Sequence, residues 1–96
     1  MDVLVTYDID TTTREGAKRL GRVARICEGY GVRAQKSVFE CRLSETRLQQ
    51  LLSELMEEIV PSIDSVHLYR FNGSLSDSRT SIGRNVSHDL GEPWII

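Results

Sequence analysis

Leu48, Leu51, Leu52, Leu55 and Ile59 recur at three- and four-residue spacing, and Pro61 stops the pattern. At 3.6 residues per turn this gathers all five on one side of a helix, for which Ser44 is the expected N-cap. Proline lacks the backbone donor that another turn would need. A helix apolar on one side only must bury that side against another element. With 96 residues, 40% of them hydrophobic, the chain has room for one domain and one modest core, and self-association would help such a core.

The other elements follow from changes of period. Residues 3–9 alternate, with Val3, Val5, Tyr7 and Ile9 on one face and Leu4, Thr6, Asp8 and Asp10 on the other. Thr12 and Glu15 fit a capping box, so a helix is expected from there to about Gly29, with Ala17, Leu20, Val23, Ala24, Cys27 and Tyr30 inward. Gly29 and Gly31 end it. VRAQKSVFECRL, residues 32–43, reads as two short strands broken near Lys36 and Ser37. A further strand over 65–71 puts Val66 and Leu68 on one side and Tyr69 and Phe71 on the other.

The order βαββαβ predicts an α+β, ferredoxin-like sandwich with two helices on one face of an antiparallel sheet. Residues 1–72 form this core. Residues 72–89 have no periodicity and read as a loop or hinge. Trp94, Ile95 and Ile96 are then expected to dock as an additional C-terminal strand, on their own core or on a partner's sheet edge, so that 73–96 is a hinge plus docking segment.

A net charge of -2 argues against binding polyanions through overall charge; any nucleic-acid contact must come from a local patch. The first helix supplies one. Arg14, Lys18, Arg22 and Arg25 fall at i, i+4, i+8 and i+11, a stripe roughly 16 Å long at 1.5 Å per residue, with Arg19 beside it and Arg33 as an extension. Only Glu15 and Glu28 oppose these helix cations, whereas the second helix carries Glu45, Glu54, Glu57 and Glu58 against Arg47. Basic charge is thus segregated in an acidic chain, as a phosphate-binding surface requires.

Cys27 and Cys41 lack CxxC spacing and sit at apolar positions, which suits reduced core thiols better than zinc or redox chemistry. His67 and His88 are isolated, and no Walker or dinucleotide glycine motif is present. The first strand also lacks the stacking aromatics of a sheet-face RNA reader. No stretch approaches the ~20 apolar residues of a membrane span and the N-terminus has no signal-leader pattern, so a cytoplasmic protein without membrane contact is expected.

Asp8 and Asp10 have two readings. Carboxylates suit Mg²⁺, which keeps several waters and shares one or two protein carboxylates, and a polarised water could attack a phosphodiester. Alternatively, either acid caps the following turn. Taken alone the pair fits the turn better, because neither a third acid nor a His accompanies it. Two copies of Asp8 brought together in a symmetric dimer would reverse that balance.

Several segments resemble the CRISPR-associated protein 2 family, the small partner of the CRISPR integrase. VTYDID is similar to its first strand with the terminal Asp, and VRAQKSVFEC to its Gln-x-Ser-Val-Phe-Glu segment. The tail SIGRNVSHDLGEPWII is most similar to that of subtype I-C members. The resemblance implies a homodimer whose two sheets face each other, with each C-terminal segment adding a strand. It also implies that Asp8 of each chain meets its copy and holds one Mg²⁺ (or Mn²⁺), with Tyr7 beside it. Arg33, Ser37 and Phe39 match family positions tied to activity or site shape, Lys18, Arg19 and Arg22 are the best matches to the family's basic residues, and Asp10 keeps a supporting role. The implied activity is metal-dependent hydrolysis of double-stranded DNA or single-stranded RNA in spacer acquisition. The alternative is a non-catalytic adaptor that bridges integrase subunits on DNA. The bland alternative for such a fold is a regulatory module that binds a small molecule.

Overall fold

The computed structural model describes residues 1–83, in the order β1 (Asp2–Asp8), α1 (Arg14–Glu28), β2 (Gly31–Gln35), β3 (Val38–Arg42), α2 (Glu45–Glu58), β4 (Ser65–Phe71) and α3 (Leu75–Ser78). The four strands form one antiparallel sheet in the order β2-β3-β1-β4. The expected C-terminal strand at Trp94, Ile95 and Ile96 lies outside the described residues. No helix among the described residues is long and apolar enough to cross a membrane.

Directly paired residues share a face of a sheet. Val3 pairs with Cys41, Val5 with Phe39 and Leu68, and Tyr7 with Val66. This face takes the apolar sides of both long helices: Val23 and Cys27 of α1 and Leu48, Leu51 and Leu55 of α2 join the strand residues in one buried cluster, against which Ile59, Val66 and Leu68 pack. The alternation of β1 and the leucine pattern of α2 therefore build the same core. Burial pushes the thiols of Cys27 and Cys41 up to about 12 and about 11, consistent with two unreactive core residues.

Three expectations are corrected. The cap of α1 is Thr13, whose hydroxyl accepts the Gly16 N–H, while Thr12 belongs to the preceding turn. Ala17 is exposed, and the inward positions of the first turns are Gly16 and Arg19. Gly16 lies so close to the loop after β1 that a Cβ there would collide with the Asp10 carbonyl oxygen. Finally, the segment after Phe71 is not all loop. Its short turn α3 buries Leu75, whose N–H donates to Asp2 Oδ2 at 2.7 Å, and Arg79 forms an ion pair with Glu40 at 3.0 Å.

Asp2 and Glu40 both belong to the sheet face opposite the helices, in rows with Arg42 and Phe71 and with Leu4, Val32 and Tyr69. The chain after β4 thus folds back over one end of that open face. Among the described residues much of the rest is uncovered, with Tyr69 51% and Val32 37% exposed.

Candidate active site

Asp8 is the last residue of β1 and pairs with Ser65 at the end of the β1–β4 ladder. Its position in the alternation puts it on the open face, in register with Thr6 and Leu4. It is exposed, and its carboxylate makes no hydrogen bond or ion pair among the described residues. Its neighbours are held firmly. Tyr7 and Ile9 are buried on the other side of the strand, at 5% and 6% exposure.

Asp10 is committed to the turn. Its Oδ1 accepts the Thr12 N–H at 2.9 Å and the Thr12 hydroxyl at 2.6 Å, and these bonds hold its carboxyl below the ordinary range. Its N–H donates to Asp64 Oδ1 at 3.0 Å. Asp64 also accepts Arg19 Nε at 2.6 Å, Arg19 Nη2 at 3.1 Å and the Val60 N–H at 2.8 Å. Its side chain is fully buried, and that of Arg19 nearly so. The sequence reading missed Asp64, a lone acid in the turn before β4. No motif marks it, because its cationic partner is 45 positions away.

Tyr7, Arg33, Ser37 and Phe39 do come together, but on the opposite side of the sheet from Asp8. The Tyr7 ring stacks on Phe39 at 6.2 Å, and the Arg33 guanidinium lies 5.2 Å from the centre of the same ring. The Ser37 carbonyl accepts the Tyr7 N–H at 3.1 Å, and the Tyr7 hydroxyl donates to the Lys36 carbonyl at 3.3 Å. Burial pushes the Tyr7 hydroxyl up from its ordinary value, and Phe39 has no exposed surface. Tyr7, expected beside the metal, and Phe39, expected at a position tied to activity or site shape, are both buried against each other and tie the β2–β3 turn to the strand that ends in Asp8. Arg33 remains exposed at the rim.

The basic stripe is also revised. Arg14, Lys18 and Arg25 are exposed, with no hydrogen bond or ion pair among the described residues. Arg22 is partly neutralised by Glu15 and Glu58. Arg19, expected at the edge of the stripe, is directed into the protein. At about 100° per residue it stands roughly 140° round the helix from Arg14, close to the buried side.

Among the described residues no three His, Cys, Asp or Glu side chains converge to hold a metal. The donor that fits one is the Asp8 carboxylate, exposed and uncommitted. That matches Mg²⁺, which takes few protein oxygens and keeps its water. Asp10 fits less well, since one of its oxygens already accepts two hydrogen bonds.

The family model described as CRISPR associated protein Cas2 matches residues 1–77. The chain is 38% identical over 96 residues to the CRISPR-associated endoribonuclease Cas2 1 of Moorella thermoacetica, covering 100% of both chains. It is 42% identical over 96 residues to the CRISPR-associated endonuclease Cas2 of Halalkalibacterium halodurans, again covering 100% of each. Among solved structures, Streptococcus pyogenes Cas2, crystallised at pH 6.5, superposes with a TM-score of 0.79 at 37% identity, over 86% of this chain and 100% of that one. Matched along its length by sequence and by fold, the chain belongs to the CRISPR associated protein Cas2 family.

Proposed function

We propose that the protein is a CRISPR endonuclease that hydrolyses phosphodiester bonds of single-stranded RNA or double-stranded DNA, with Asp8 as its metal-binding carboxylate. The observation that carries this reading is the state of Asp8: exposed at a strand end, free of partners among the described residues, and flanked by buried residues. The relatives carry the names endoribonuclease and endonuclease, which supports cleavage of nucleic acid. In this reading Asp8 of two copies would hold one Mg²⁺ or Mn²⁺. A bound divalent ion would lower the pKa of a coordinated water and offset charge on the phosphate.

The same reading takes the sheet as a ferredoxin-like sandwich that dimerises through its open face, with the tail similarity as grounds for subtype I-C. The exposed Tyr69 and Val32 support a face-to-face dimer. The integrase subunit and spacer acquisition in the cytoplasm complete the proposal.

One observation favours the adaptor as a second reading. Arg14, Lys18 and Arg25 lie on the helix-covered side of the sheet, while Asp8 belongs to the open face. Duplex could therefore be held without meeting Asp8. The test is cleavage of single-stranded RNA and of duplex DNA with Mg²⁺, with EDTA, and by Asp8→Asn, each preparation checked for dimers. Loss of cutting with EDTA and in the variant is expected. Equal cutting by Asp8→Asn would refute the site, and tight, salt-sensitive duplex binding without cutting would establish the adaptor.

A further inference from the structure

We infer that the buried Asp64–Arg19 pair is a positioning device for Asp8, fixing the backbone on which the metal-binding carboxylate stands. This rests on the reading of Asp8 given above. The β1–β4 ladder ends at Asp8 and Ser65. Asp64 immediately precedes Ser65, and its carboxylate extends the contact between the two chain segments by accepting the Asp10 N–H at 3.0 Å. Arg19 Nη2 reaches the Asp10 carbonyl at 3.5 Å. Both polar groups of the Asp10 backbone are therefore met by one ion pair.

On the near side, Tyr7 is held by its N–H to Ser37 and by its burial against Phe39. Ile9 is buried in the core cluster. Gly16 leaves no room for the loop to move toward α1. Asp8 thus projects from a backbone anchored on both sides, leaving its side-chain rotamer as its main freedom. Mg²⁺ demands a near-ideal octahedron at short distances, so a carboxylate that must meet the same ion as its own copy needs such support.

The test uses the full chain, with Asp64→Asn, Arg19→Lys and Asp8→Asn variants. Mn²⁺ is titrated into each metal-free protein and followed by electron paramagnetic resonance, with thermal melts and sedimentation in parallel. Loss of a partner that orients a metal ligand lowers affinity ~10–100-fold. Asp64→Asn that is still folded and dimeric should bind Mn²⁺ at least about tenfold more weakly, at the low end of that range. Arg19→Lys keeps the buried charge pair but loses the planar fork that reaches Asp10, and should weaken binding by a smaller factor. It decides the matter if Asp64→Asn does not fold. Wild-type Mn²⁺ affinity in the folded Asp64→Asn or Arg19→Lys protein, while Asp8→Asn has lost it, would reduce the pair to a purely structural role. Wild-type affinity in Asp8→Asn would instead remove the metal reading itself, and the positioning role with it.

Discussion

Asp64 accepts four hydrogen bonds from three segments of the chain, and this sets its response to acid. The Arg19 guanidinium, more than any other group, holds its carboxyl down to about 2 from an ordinary 3.8. A group depressed in this way stabilises the fold above its unfolded value and ceases to do so as pH falls through its folded value. Thermal melts should therefore lose stability between about pH 4 and pH 2 in the wild type, with that part of the slope flattened in Asp64→Asn. An unchanged slope would mean that Asp64 is not held as described. At this scale the sequence was informative about Asp8, because the end of an alternating strand is visible in one dimension. It was uninformative about Asp64, whose meaning comes from a partner on another element. Tyr7 and Phe39 illustrate the same limit: their identities were plain, but only their common burial makes them packing residues.

Helix α1 serves two purposes on its two sides. The inner side carries Val23 and Cys27 into the core and Arg19 to Asp64, and the outer side presents Arg14, Lys18 and Arg25. Each exposed cation that meets a phosphate releases counterions, so charge reversal should weaken duplex binding and flatten its dependence on salt. Lys18→Glu and Arg25→Glu should each reduce the slope of log affinity against log salt by about one, measured by fluorescence anisotropy between ~50 and ~200 mM salt. Arg22→Glu should lower it less, because Glu15 and Glu58 already engage that side chain. Equal slopes in all variants would move the nucleic-acid surface elsewhere. Element boundaries were largely legible: β4 occupies 65–71 as expected, α2 ends before Pro61, and the β2–β3 turn falls at Lys36 and Ser37. The one-residue error at the start of α1 arose because three successive threonines offer three hydroxyls, and only backbone geometry selects Thr13.

As a whole, the described part of the molecule is lopsided. Two helices cover one face of the sheet, while the other is covered at one end by the turn after β4 and exposes Tyr69 and Val32. If two copies meet through that face, a charge placed on it would be desolvated without a partner. Tyr69→Asp should therefore shift a dimer toward monomer in sedimentation equilibrium, with nuclease activity falling in step; an unchanged dimer would exclude this face. The sequence by itself determined the order of the four strands and the two long helices and, Ala17 and Arg19 apart, the face each presents to the core, because period and capping are local properties. It also determined that Asp8 falls near the end of the first strand, and that the first helix carries the basic charge of an acidic chain. Only the tertiary structure decided the strand order, the meeting of Tyr7 with Phe39 and Arg33, and the inward turn of Arg19. Those outcomes depend on which distant groups are brought together: a buried guanidinium is tolerable only where a carboxylate waits for it, and here the two lie 45 residues apart in the chain.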